Sequence, residues 1–153
     1  MIGVLSTQPA GVDRQVAEIE ELLRAVGAIL KKRARDILSN FRITPPQLDA
    51  LLVLNEHGEL TMGELCQRLF LACSTATDLI DRMERNQLIE RVRDTADRRV
   101  IRLRLLEKGR RIIAEVLEAR RSYLSGVLGD VSPAQKEQII QSLQILSDRM
   151  GRG

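Results

Sequence analysis

A chain of 153 residues with 44% hydrophobic and 29% charged side chains can bury one compact core, and it excludes a disordered polyelectrolyte. Aromatics make up only 2% (Phe41, Phe70 and Tyr123), so the core must be aliphatic, which suits packed helices, and the stacking platforms of single-strand binders are missing. The formal net charge of +3 is a weak global signal, so the placement of charge carries more than its sum.

Residues 1–11 contain Pro9 and Gly11 and show no period, which predicts a loose arm. The opening residues lack the basic region and long apolar core of a secretion signal, and no apolar run approaches the ~20 residues of a membrane span. A cytoplasmic protein is expected. Asp13 is placed to cap a helix, and Val16, Ile19, Leu23, Val26, Leu30, Ala34 and Ile37 follow at steps of three and four. The spacing predicts a helix over about 13–40 with one apolar stripe. Such a helix is longer than a small domain needs and suits packing against another subunit, with packing inside its own chain as the plainer alternative.

Thr44-Pro-Pro-Gln47 restarts the helical pattern as a capping box, with Leu48, Leu51, Leu52 and Leu54 inward and Gly58 as the stop. Glu59-Leu60 is long enough only for a single short strand against a later hairpin. Thr61-Met-Gly-Glu64 is a second capping box and opens a short helix with Met62, Leu65, Cys66 and Leu69 inward. Phe70 to Cys73 turns the chain. The next helix is read over Cys73–Arg85, with Ser74 at its front as the cap; Leu79, Ile80 and Met83 pack it down. Ser74, Thr75, Thr77, Asp78 and Arg82 are left on its outward face. Two short helices joined by a tight turn, the second with a polar front, form a helix-turn-helix pattern.

Leu88–Arg93 and Val100–Leu105 then alternate with period two, around a polar loop carrying Asp94, Asp97, Arg98 and Arg99. Ile101, Leu103 and Leu105 share one face of the second strand. Nine basic residues fall between Arg91 and Arg111 against three acids, the footprint of a polyanion partner, although a solvated charged surface is the bland alternative. A further helix is predicted from Glu107 to about Leu128. Ser132-Pro-Ala-Gln135 is a third capping box, and it opens a last helix with Ile139, Leu143, Leu146 and Met150 on one stripe. Apolar stripes at both ends of the chain suggest that the ends meet, across a two-fold axis.

From Thr44 to Gly109 the sequence resembles the MarR family of bacterial transcription regulators. The likeness rests on Leu65-Cys-Gln-Arg-Leu69, Ser74-Thr-Ala-Thr77, Asp81-Arg-Met-Glu84, Leu88-Ile-Glu-Arg91, Asp97-Arg-Arg99 and Leu106-Glu-Lys-Gly109. The resemblance implies a mostly α fold: a winged helix-turn-helix with a small antiparallel β wing, flanked by long N- and C-terminal dimerisation helices. It implies a homodimer on a pseudo-palindromic double-stranded operator, with the helix from Ser74 in the major groove and Arg99 in the minor groove. Asp97 would hold the wing by ion pairing. Many relatives repress and release DNA on binding a small phenolic or lipophilic acid; others respond to cysteine oxidation, usually through a cysteine in the first helix, which this chain lacks. Where the family has glycine after the recognition helix this chain has Gln87, which puts the left-handed turn on Asn86. Asp78 stands where a basic or amide residue is usual, and could accept a hydrogen bond from cytosine N4.

The expected parts are therefore an arm and dimerisation helix over 1–40, a DNA-binding head over 41–106 and C-terminal dimerisation helices over 107–153, as one intertwined unit. The expected DNA contacts are Ser74, Thr75, Thr77, Asp78, Arg82, Arg93, Arg98 and Arg99, with Arg82 either on phosphate or paired to a wing acid. An effector site is expected where the first, second and fifth helices meet. Cys66 reads as a buried inert thiol; Cys73, beside a helix N-terminus, is the candidate for redox chemistry. His57 alone makes no metal site, the two cysteines have no metal spacing, and no nucleophile–base pair or phosphate loop is present. No enzyme activity and no cofactor are expected. The competing readings are a thiol-oxidation sensor of the same fold and a helical interaction module that does not bind DNA.

Overall fold

The structure, a computed structural model, describes Gly11 and residues 13–151. Apart from Gly11, the arm expected over 1–11 lies outside the described residues. Six helices and three short strands follow in the order α1 (Arg14–Asn40), α2 (Pro45–His57), β1 (Leu60–Thr61), α3 (Met62–Leu69), α4 (Cys73–Arg85), β2 (Ile89–Arg93), β3 (Ile101–Leu105), α5 (Glu107–Val127) and α6 (Pro133–Met150).

Side-chain caps set four of the helix starts. Asp13 accepts from the Gln15 N–H at 3.2 Å, and the boxes at Thr44, Thr61 and Ser132 are each closed in both directions. Each such cap stabilises its helix by about 1 kcal/mol. α4 keeps the bounds read for it, Cys73 to Arg85, but not the cap expected at Ser74. It begins at Cys73 with Ala72 as its cap residue, and no side chain satisfies its first N–H groups. The reason lies in the preceding closure: α3 ends by reversing the chain within Phe70 and Leu71, which leaves Ala72 extended and the helix free to begin one residue before Ser74.

Three helix ends close by the same double hydrogen bond, and none uses glycine. At the end of α1, Arg42 N–H donates to Ser39 and Ile43 N–H to Leu38. At α3, Phe70 donates to Gln67 and Leu71 to Cys66; at α4, Gln87 donates to Glu84 and Leu88 to Met83. Each closure needs one left-handed residue, and these are Arg42 (φ 56°), Phe70 (φ 53°) and Gln87 (φ 61°). Gln87 itself takes the conformation expected of Asn86, which stays at φ −85°. The helix runs to Arg85, so the geometry of the motif puts the positive φ two residues on, whichever side chain stands there.

The strands form one antiparallel sheet in the order β1-β3-β2, with Leu60 opposite Leu103 and Arg91 opposite Leu103 on the other side. The single short strand expected at Glu59-Leu60 is thus present, one residue later. Ile89, Leu103 and Leu105 face a core built with Leu48, Leu51, Leu54, Leu65, Ile80, Met83, Leu88, Ile113 and Val116, all buried. Each such side chain contributes about 1.5–3 kcal/mol by leaving water. No aromatic is fully buried, as the composition requires. Gly109 lets α5 lie against the sheet: a Cβ there would stand 2.5 Å from the Leu88 carbonyl oxygen.

The two ends of the chain are built differently from this middle. α1 buries only Leu38, and α6 buries no side chain. Leu22, Val26 and Ile29 of α1 are each at least half exposed, as are Leu143 and Ile145 of α6. Within one chain α1 packs on α5 and α2, so the expected meeting of the two terminal stripes is not made inside a single copy. No helix among the described residues is long and apolar enough to cross a membrane.

Candidate nucleic-acid interface

α4 separates its residues by chemistry. Ala76, Ile80 and Met83 are buried, and Leu79 packs partly against the core. Ser74, Thr75, Thr77, Asp78 and Arg82 are exposed, as expected. The Thr77 hydroxyl donates back to the Cys73 carbonyl at 2.8 Å. Ser74 does not cap the helix, so its hydroxyl is not held by that duty.

The wing is fixed to α4 by one residue that the sequence did not single out. Arg91 lies on the inner face of β2 with Ile89. Its guanidinium donates to Glu84 at 2.8 Å and to Asp81 at 2.6 Å, while its backbone N–H donates to Glu84 at 3.0 Å. The hydrogen bond it donates to Asp81, then that to Glu84, holds the guanidinium proton more firmly than usual. Asp81 and Glu84 are three apart on a helix and so share a face. That spacing was the available signal; what it lacked was the strand register that aims Arg91 at it.

The loop of the wing is held from within. The Asp94 carboxylate accepts from Arg102 Nε at 2.8 Å and from the backbone N–H groups of Ala96 and Asp97 at 3.2 and 3.1 Å. These partners, Arg102 foremost, keep its carboxyl below the ordinary aspartate range. Asp94 is therefore the central acceptor of the loop. Asp97 adds a local ion pair, accepting from the Arg99 N–H at 3.0 Å and from Arg99 Nε at 3.2 Å. On the outer face Arg104 bridges Glu59 at 2.6 Å and Glu90, its cross-strand partner, at 3.2 Å.

These pairs divide the basic run. Arg91, Arg102 and Arg104 are paired with carboxylates of the same chain, Lys108 donates to the Asn86 carbonyl and Arg110 to the Leu105 carbonyl. Arg93 and Arg98 are exposed and form none of the ion pairs among the described residues; Arg99 is 91% exposed. Arg82 likewise is not paired to a wing acid: Arg91 occupies that role. The free positive charge of the wing is thus narrower than the sequence count suggests, and it concentrates on the loop.

Cys66 is buried and Cys73 exposed. His57 meets Arg68 at 3.2 Å, and no group of three or more metal-ligating side chains occurs among the described residues. A cavity of about 420 Å³ opens between α1 and α5, over Leu30, Ala34, Ile37 and Leu124, with Lys31, Arg33 and Arg120 at its edges. Arg33 stacks on the Tyr123 ring at 4.6 Å. The effector site was expected at the junction of α1, α2 and α5; α2 contributes no residue to this cavity, because its apolar face is already spent on the core.

The chain is similar to known proteins over nearly all of its length. The family model described as MarR family matches residues 43–101. The uncharacterised HTH-type transcriptional regulator YsmB of Bacillus subtilis (strain 168) is 47% identical, over 90% of this chain and 94% of its own. The HTH-type transcriptional repressor MdtR of the same organism is 30% identical, over 87% and 84%. Among solved structures, a MarR family protein from Bacillus stearothermophilus superimposes with a TM-score of 0.85 at 51% identity, covering 93% of this chain and 99% of that one. With the polar face of α4, the clamped wing and these relatives in agreement, the chain belongs to the MarR family of winged helix-turn-helix, DNA-binding transcriptional regulators.

Proposed function

We propose that the protein is a cytoplasmic repressor that sits as a homodimer on a pseudo-palindromic operator, with 41–106 as the reading head and the flanking helices as the dimer interface. The observation that carries this reading is the unburied polar face of α4, tied through Arg91 to a loop whose Arg99 stands in solvent. Ser74, Thr75, Thr77, Asp78 and Arg82 read or flank the major groove, Asp78 as an acceptor for cytosine N4. Arg99 enters the minor groove, where a narrow groove concentrates negative potential, while Arg93 and Arg98 lie on phosphate. The apolar stripes of α1 and α6, exposed in one copy, supply the surface a second copy covers. Repression is supported by MdtR, a repressor by name at 30% identity.

The cavity between α1 and α5 suits a small lipophilic anion: its floor is aliphatic and its edges cationic. Because it joins a dimerisation helix to the helix that follows the wing, a ligand there changes the separation of two heads held to the pitch of DNA. The test uses a duplex selected from random sequence by the protein itself, titrated by fluorescence polarisation at several salt concentrations. A saturable complex whose affinity falls steeply with salt is expected. Absence of any saturable duplex complex would favour a helical interaction module. Aromatic carboxylates should lower that affinity and raise the melting temperature, and Arg33→Ala should blunt both effects.

A further inference from the structure

Among the described residues, the large apolar side chains left in solvent fall almost entirely on the terminal helices: on α1 from Val16 to Leu30, at the end of α5 with Leu124 and Val127, and on α6 from Ile139 to Met150. The proposed second copy accounts for much of that surface. Two lie elsewhere: Ile101 in the wing, 47% exposed, and Phe70 in the turn of the helix-turn-helix, 95% exposed. Of the three aromatics in the chain, Phe41 and Tyr123 are half-buried, so Phe70 alone gives its whole ring to water. The fold does not require a ring there. Phe70 holds the left-handed position that closes α3 (φ 53°, ψ 37°), and the same position after α1 and α4 is held by Arg42 and Gln87, both polar and exposed. A bulky apolar residue at positive φ combines a backbone cost with an unburied ring, and a position of that kind points to a use outside the fold.

The place of the ring supplies the use. Phe70 stands shortly before Cys73, the first residue of α4, and Ala72, Cys73, Ser74 and Thr75 are all exposed. These side chains are small, so a duplex can approach closely and the ring is the largest feature it meets. In a helix-turn-helix the first helix crosses the sugar–phosphate backbone while the front of the second enters the major groove, so the turn between them lies at the rim of that groove. Its neighbour Arg68 meets His57 at 3.2 Å, and the cation–ring stack found among the described residues is Arg33 on Tyr123. The Phe70 ring is thus left for an apolar partner. We propose that Phe70 is a further DNA-contact residue, whose ring seats on apolar carbon of the duplex at the groove rim, a deoxyribose face or the 5-methyl group of a thymine, and so sets how far the front of α4 enters. The inference rests on α4 being the DNA-reading helix, as proposed above.

The experiment compares the full-length parent with Phe70→Ala and Phe70→Leu on the duplex the parent selects, by polarisation at several salt concentrations. Phe70→Ala should weaken binding about tenfold, the effect of taking an apolar ring out of a contact, and Phe70→Leu should restore most of the loss. The slope of affinity against salt should be the same for all three, because no charge that displaces counterions has been removed. Duplexes in which single thymines are replaced by deoxyuridine then separate the two carbon sources. If the ring meets a methyl group, one replacement weakens the parent and leaves Phe70→Ala unaffected. If it meets a sugar, no replacement does so, and Phe70→Ala loses the same factor on the selected duplex and on an unrelated one. Equal affinity of Phe70→Ala and the parent overturns the proposal. So does a loss that comes with a lower melting temperature or a lighter sedimenting species, since the ring would then serve the fold or the assembly. A parent that binds no duplex at any salt concentration would instead sink the DNA reading itself, and the proposal with it.

Discussion

Arg99 is the residue proposed above to enter the minor groove. Its pair with Asp97 is exposed, where such pairs are worth about 0–1 kcal/mol, so leaving Asp97 for a groove would cost the guanidinium little. Arg99→Ala should therefore leave the melting temperature unchanged while weakening duplex binding by about 1–3 kcal/mol, read by polarisation at fixed salt. Equal affinity of the two proteins would remove the loop from the recognition mechanism. Phe70 shows the opposite economy. It is 95% exposed and left-handed, so its side chain gains nothing from burial while its backbone bears a cost. Phe70→Gly should raise stability on the order of 1 kcal/mol, or about 2–4 °C in a thermal melt. A lower melting temperature would mean that the ring makes a contact in the assembled protein that the single chain does not show.

At the scale of elements, the wing and α5 each hang on a specific contact. Asp94 is held below its ordinary range by Arg102 and two N–H groups. A carboxylate lowered on folding stabilises the fold above its unfolded value, about 4, and loses that contribution as pH falls through the lower folded value. The melting temperature of Asp94→Asn should thus lie below that of the parent at pH 7, and the gap should close as the pH drops below about 4. A gap independent of pH would mean that charge is not what Asp94 supplies. Gly109→Ala sets two effects against each other. Alanine favours a helix by about 1 kcal/mol, but its Cβ meets a backbone oxygen at 2.5 Å and the Leu105 side chain at 2.7 Å. Overpacking costs about 1–3 kcal/mol, and a carbonyl in a strand boundary cannot rotate aside. A net loss is expected in urea unfolding; a gain would show that α5 can shift.

The same scale shows what the sequence could and could not reveal. Capping boxes were legible because they are local: a threonine or serine and a glutamine or glutamate three residues on determine each other. The outward face of α4 was legible from the step between Ala76, Ile80 and Met83. The missing side-chain cap of α4 was not, since it follows from how α3 closes, and neither was the left-handed Gln87, which the closing motif imposes by position. The partners of Arg91, Arg102 and Arg104 depended on strand register, so a run of basic residues looked like one free surface when half of it was already paired within the chain. That the cavity lies between α1 and α5 alone was not legible for a similar reason: the face of α2 had been claimed by the core.

For the whole molecule, the dimer proposed above rests on the terminal helices. Leu23→Asp in α1 places a charge on the exposed stripe without touching the core of the head. Sedimentation should find the parent as a dimer and this variant shifted toward a single chain, with the head still folded by circular dichroism; a monomeric parent would remove the two-headed mechanism. The bareness of α6 has a further effect. In the proposed dimer, a helix that shelters nothing of its own in one copy draws its stability from the second, so the protein's thermal endurance should rise with how much of it is present. At low abundance such a regulator thins its own population twice over, by scarcity and by unravelling, and the switch it operates becomes steeper in protein dose than the number of its DNA contacts would suggest.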